Sequence, residues 1–190
     1  MKKSLGAKPY LIPMPVLMIA TYNEDGTVNV MNMAWGGICD DEKVALNISP
    51  SHKTAANLMK RKAFTISVAD AAHVEAADYF GIASGNKVAD KFAKSGLHAT
   101  KSDKVDAPVV EEFPITLECR AEELRYGDGI LRVTGKILDV LADEKVLNED
   151  GSIDPLKVDP IIFDTFQKNY FKLGEKAGKA WGSGTALMKK

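Results

Sequence analysis

The sequence is short of the residues that usually announce chemistry. It holds two cysteines, Cys39 and Cys119, far apart and without CxxC or Cys/His spacing, so neither a disulfide scaffold nor a zinc site is indicated. His73 and His98 have no companion ligands nearby, and no metal-ligand set is expected. One-sided charge is missing too: 25 basic residues meet 26 acidic ones for a net charge of -1, which gives no electrostatic case for nucleic acid and points to a small ligand. No apolar run approaches the ~18 residues of a membrane span. Lys2 and Lys3 followed by Val16 to Ala20 have the look of a signal peptide, but Pro9, Pro13 and Pro15 interrupt the segment. Thr21, Tyr22 and Asn23 make no small-residue cleavage site either. The economical reading is a cytoplasmic protein with reduced thiols. GxGxxG and GxxxxGK[ST] are both absent. No repeat, low-complexity block or linker divides the chain, so one domain spanning 1–190 is expected.

What the chain does have is strand pattern, with 45% hydrophobic residues to build a core. Val16 to Tyr22, the NEDGT turn and Val28 to Trp35 predict a hairpin. KVALNIS at 43 to 49 alternates again, and FTISVA at 64 to 69 is a further strand. Between them Thr54 to Lys62 takes helical spacing, with Ala55, Leu58 and Met59 on one side. Residues 70 to 96 predict two short helices, the second being KVADKFAKSG. ITLECRAEEL and ILRVTGKILDVL, joined by YGDG, predict a second hairpin. Ile161, Ile162, Phe163, Phe166 and Tyr170 fall at helical spacing. Hairpins predominate, so the expected class is mainly β, a β-barrel with peripheral helices, rather than a doubly wound sheet.

Chemistry concentrates at 46 to 54, LNISPSHKT. A helix starting near Ser51 would offer unpaired N–H groups and the positive end of its dipole, to which Ser51 and Thr54 add hydroxyls and His52 and Lys53 add charge. That combination suits a phosphate monoester. The plainer alternative makes Ser51 an N-cap, Pro50 a helix-entry residue and Lys53 a solvated side chain. The neighbouring NVMNMAWGGI brings amide, thioether and indole groups to the end of a strand beside a Gly-Gly bend, which offers polar readout and flat apolar contact. On that stretch alone, Met31, Met33 and Trp35 read better as one core face of a strand.

The series PMPVLMIATYNEDGTVNVMNMAWGG, ISPSHKT, DYFGIASGNKVADKF and APVVEEFPITLEC, in that order, resembles the flavin reductase-like, FMN-binding split-barrel family, particularly its flavoredoxin-like branch. The resemblance runs from about Pro13 to Trp181. It implies a six-stranded split β-barrel with peripheral helices, a homodimer, and noncovalent FMN. Asn32, Met33, Ala34 and Trp35 would lie along the flavin, with Ser49, Pro50, Ser51, His52, Lys53 and Thr54 at the phosphate end. Relatives often carry an arginine in that segment, where this chain offers His52 and Lys53. Lys87 and Lys91, four apart on an expected helix, could both reach an anionic edge, and DKF favours Lys91. Tyr170 and Trp181 could cover the ring or the partner subunit. Cys39 reads as a buried, inert thiol.

The resemblance implies an oxidoreductase in which the flavin takes hydride from NAD(P)H and passes electrons to free flavin, ferric iron or a partner protein. No catalytic side chain of the protein is then required, and the lack of a triad or paired carboxylates removes the hydrolase readings. The alternatives are a flavoredoxin-type electron carrier without its own NAD(P)H site, and an FMN-binding module.

Overall fold

Twelve strands and four α-helices are present among residues 1–189, which the computed structural model describes. The strands are β1 (Met14–Pro15), β2 (Leu17–Tyr22), β3 (Val28–Met33), β4 (Gly36–Asp40), β5 (Lys43–Ile48), β6 (Ala63–Val68), β7 (Ala99–Lys101), β8 (Pro108–Val110), β9 (Ile115–Gly127), β10 (Ile130–Ala142), β11 (Ile161–Phe163) and β12 (Tyr170–Lys172). The helices are α1 (Lys53–Arg61), α2 (Val74–Ile82), α3 (Lys91–Lys94) and α4 (Pro155–Val158).

Seven strands form one antiparallel sheet in the order β3-β2-β6-β9-β10-β5-β4. Its two edges, β3 and β4, are consecutive in the chain, with only Ala34 and Trp35 between them. The sheet must therefore curl until its edges approach each other, and the Asn47 amide of β5 donates to the Trp35 carbonyl at 3.0 Å, extending the β4–β5 ladder into the link. This is the barrel expected from the hairpins. Counting β3 and β4 as one kinked strand recovers the expected six. β1, β11 and β12 make a second, three-stranded sheet, and β7 and β8 pair separately.

Burial explains why LMIATY reads as nearly continuous apolar sequence. Leu17 and Ile19 enter the cluster inside the barrel with Leu46, Ile48, Leu58, Phe64, Leu131 and Val133. Val16, Met18 and Ala20 enter a second cluster with Val30, Phe80, Phe113 and Ile161. A strand covered on both faces loses its polar alternation.

The NEDGT turn closes as expected: the Asn23 amide donates to the Thr27 carbonyl at 2.8 Å and the Thr27 amide to Asp25 Oδ1 at 3.0 Å, with Gly26 at φ +85°. The same device recurs in NEDGS, where the Asn148 amide donates to Ser152 O at 2.8 Å and the Ser152 amide to Asp150 Oδ1 at 2.9 Å, with Gly151 at φ +79°. Asn/Asp side chains mimic backbone turns and glycine admits positive φ, so the motif folds alike in both settings.

Three sequence expectations need correction. The helical spacing at Ile161 to Tyr170 belongs to the β11–β12 hairpin. Asp164 is buried in its turn, where its carboxylate accepts the amides of Phe166 (2.7 Å) and Gln167 (3.1 Å), and Lys168 takes φ +63°. In α1, Met59 is exposed and Asn57 turns inward, donating to Thr21 Oγ1 and Asn23 Oδ1 at 3.0 Å each. The expected helix over KVADKFAKSG shrinks to α3, because Lys87 and Val88 amides both close a turn on the Ser84 carbonyl at 2.9 Å.

Candidate functional site

Helix α1 begins on His52, an extended residue whose side chain makes no capping bond, so Ser51 is not the N-cap. The Ala55 amide already bonds the His52 carbonyl at 3.1 Å, and among the described residues the amides of Lys53 and Thr54 find no partner. They open onto a compartment of about 290 Å³ between α1, β3 and the loop that follows α2. Thr54, 1% exposed, has its Oγ1 accepting from Asn29 Nδ2 at 3.0 Å, which leaves its own proton to donate. Gly85 closes the opposite side. A Cβ there would collide with Asn29 Oδ1 and lie 3.2 Å from Lys53 Cβ, so only glycine lets the loop come this near.

Lys91 completes this inner compartment. It is 4% exposed, donates from Nζ to the Phe80 carbonyl at 2.9 Å, and sits 5.8 Å from the Phe80 ring centroid. One ammonium proton is used and two remain. Burial lowers its pKa from the ordinary 10.5 to about 8. With Lys53 it gives the compartment two cationic side chains, and no carboxylate lines the space.

Met31, Asn32, His52, Gly81 and Ile82 line both this compartment and a second chamber of about 400 Å³, so the two spaces join. The outer chamber is walled by Met33, Ala34, Trp35, Phe163 and Tyr170, with Trp35 and Phe163 ring centroids 6.4 Å apart. Trp35 is 51% exposed. Asp78 is its only side chain of formal charge, and no lysine or arginine lines it. The Tyr170 hydroxyl donates to Asp78 Oδ1 at 2.9 Å and accepts from Asn32 Nδ2 at 3.4 Å. Burial first, and then the Asp78 carboxylate, push the Tyr170 pKa up to about 12. Asn32 Nδ2 also donates to the Ala77 carbonyl at 2.9 Å, so its amide nitrogen is committed to the protein.

Of the residues singled out in the sequence, Asn32, Met33, Ala34, Trp35, Ser51, His52, Lys53, Thr54, Lys91 and Tyr170 meet on these two joined spaces. Ser49, Pro50 and Lys87 do not. Ser49 Oγ pairs with Ser51 Oγ at 2.9 Å on the outside of the turn, and Pro50 precedes the helix entrance without lining the space. Lys87 is exposed on the turn before α3, since the helix that would have set it beside Lys91 does not extend that far. Trp181 is fully exposed and Cys39 is exposed rather than buried, each lying outside the two spaces. Sequence reasoning missed Asn29, Asp78, Phe163 and the stretch Gly81 to Gly85, the end of α2 and the loop after it. The small residues of GIASG were the available signal, because glycines between helices often mark close backbone approach.

Residues 10–165 match the family model described as flavin reductase like domain. The chain belongs to the flavin reductase-like family of FMN-binding split barrels. The chain of this family solved as flavoredoxin of Desulfovibrio vulgaris (Miyazaki F) is 39% identical and superimposes with a TM-score of 0.92, covering 97% of this chain and 100% of that one. The flavoredoxin from Methanosarcina acetivorans shares the fold at 24% identity, with a TM-score of 0.89 over 99% of this chain and 100% of that one. An uncharacterized protein of Bacillus subtilis is 25% identical over 186 residues, 88% of this chain and 87% of its own. In this flavin reductase-like chain Tyr170 lies beyond the residues that match the family model.

Proposed function

We propose that this protein is an FMN-binding flavoprotein oxidoreductase, with the phosphate of FMN in the inner compartment and the isoalloxazine ring in the outer chamber. The observation that carries this reading is the division of chemistry between two joined spaces: Lys53 and Lys91 without a carboxylate in one, an aromatic and thioether wall without a lysine or arginine in the other. A phosphate monoester calls for charge-assisted donors, which the two lysines, the unpartnered α1 amides and the Thr54 hydroxyl supply. A flat ring calls for apolar surface, which Trp35, Met33 and Phe163 supply. The residues present therefore fit the cofactor. Bound flavin supplies the electron-transfer chemistry. The chain's residues bind its phosphate, orient the ring along β3, and keep water from its face.

NAD(P)H is the donor in this reading, and free flavin, ferric iron or a partner protein the acceptor. A flavoredoxin-type electron carrier is the second reading, favoured by the 39% identity to a protein named as one. Anaerobic addition of NADH and of NADPH to FMN-loaded protein separates them. Bleaching of the flavin at catalytic rates supports the reductase, whereas reduction only by a protein donor supports the carrier. Failure to retain any flavin defeats both. A homodimer belongs to the same proposal, supported by exposed Trp35 and Ile38 at the β3–β4 seam. Sedimentation of a flavin-loaded monomer at micromolar concentration would remove it.

A further inference from the structure

Asp78 is the one side chain of formal charge on a chamber whose other polar lining is Asn32, Asn47, His52 and Tyr170, and it has no ion-pair partner among the described residues. Its carboxylate is not loose: Tyr170 donates to it at 2.9 Å, and the Tyr170 oxygen is in turn held by Asn32 on β3 at 3.4 Å. The Tyr170 hydroxyl holds its proton at neutral pH, as an ordinary phenol does, and burial beside Asp78 pushes its pKa up to about 12. The remaining wall carries Trp35, Phe163 and Ile82 beside Asn47 and His52, with no lysine or arginine. A negative charge carried in beside such a wall meets Asp78 with less screening than in bulk water, whereas a neutral or positive group meets no penalty.

We propose that Asp78, positioned by Tyr170, makes the part of the outer chamber left open beside the FMN ring a site for a second flat ring bearing no negative charge, neutral or cationic, and so selects which electron donors or acceptors approach the flavin. This rests on the FMN reading for its functional meaning, but the charge selection itself belongs to the chamber. Tyr170 is a positioning residue here and Asp78 the specificity-determining one. Asp78 is exposed, so the selectivity is modest, about three- to tenfold between anion and cation at low salt.

Three probes of nearly equal shape and different charge test it: nicotinate (anion), nicotinamide (neutral) and N-methylnicotinamide (cation). Each is titrated into protein with and without FMN by equilibrium dialysis. The spectroscopic readout is Trp35 emission in a Trp181→Phe background, since the chain has two tryptophans. The expected order places nicotinate weakest by about threefold or more, with the gap closing in Asp78→Asn and at high salt. Tyr170→Phe keeps the ring and frees the carboxylate, so it should narrow the gap without abolishing probe binding. Nicotinate binding as tightly as nicotinamide, a gap that survives Asp78→Asn, or no binding of any probe overturns the proposal. A full gap in Tyr170→Phe overturns the positioning role. FMN titrated on the same samples reports separately: no FMN uptake with the charge order intact defeats the function proposed above and leaves this selection standing.

Discussion

Lys91→Met should stabilise the flavin-free protein slightly while weakening FMN binding. The Lys91 ammonium is 4% exposed and bonds a single carbonyl, so folding removes it from water with little compensation. Its pKa falls from 10.5 to about 8, a gap of about 2.5, which corresponds to roughly 3 kcal/mol of disfavour for the charged form in the fold. Below about pH 8 both folded and unfolded chains hold the proton, and the full penalty is present. Between about 8 and 10.5 the unfolded chain binds the proton and the folded one does not, so stability rises with pH across that window. Methionine has no charge to bury but strands the Phe80 carbonyl, at a cost of about 1–3 kcal/mol. The variant should therefore equal or exceed wild type by up to about 2 kcal/mol at pH 7. Its advantage should vanish and then reverse as pH approaches 10.5. Urea denaturation of both proteins from pH 7 to 10.5 measures the difference, in which other titrating groups cancel. A wild type that outperforms the variant at pH 7 by more than about 2 kcal/mol, or a difference independent of pH, refutes an uncompensated buried ammonium.

Other substitutions probe the same two spaces. Gly85→Ala should weaken FMN binding and cost about 1–3 kcal/mol, because the added methyl must displace Asn29 or Lys53; unchanged melting and unchanged FMN titration would contradict the close approach. Thr54→Val keeps the side-chain shape but leaves Asn29 Nδ2 with only its 3.4 Å contact to Thr21, so a loss of about 1–3 kcal/mol is expected by urea denaturation, with Thr54→Ser near wild type. Iodoacetamide should modify exposed Cys39 in the native protein and spare Cys119, whose thiol burial pushes up to about 12. Two adducts by intact mass before unfolding would contradict that placement.

The barrel was legible because hairpins are local. NEDGT and YGDG carry their turn chemistry within a few residues, whereas the expected Gly-Gly bend is not there: the chain kinks at Ala34 and Trp35, and Gly36 and Gly37 open β4. The entrance to α1 at the inner compartment was legible for the same reason, since a strand end, a proline and a helix start all fall within LNISPSHKT. The helical spacing of Ile161, Ile162, Phe163, Phe166 and Tyr170 misled because three residues of β11, one in the turn and one on β12 satisfy a 3.6-residue period by accident. What decides the case is Asp164, a buried carboxylate that closes on its own backbone. Lys87 misled because KVADKF has helical composition, yet its first residues are held in a turn by the Ser84 carbonyl. Asp78 and Phe163 were invisible as site residues. They reach the chamber only when the β11–β12 hairpin docks across α2 and β3, a long-range contact that no local window contains.

The central claim is that the inner compartment holds the phosphate of FMN, and calorimetric titration of the same flavin-free protein with FMN and with riboflavin tests it most directly. On that claim both ligands would present the same ring to the outer chamber and differ only at the end facing Lys53, Thr54 and Lys91, which line the inner compartment. A charge-assisted hydrogen bond is worth about 1.5–3 kcal/mol, so riboflavin should bind at least about tenfold more weakly. Lys53→Ala should narrow that ratio while leaving riboflavin unchanged. Equal affinity for the two flavins would contradict the claim and reduce SPSHKT to the entrance of a helix.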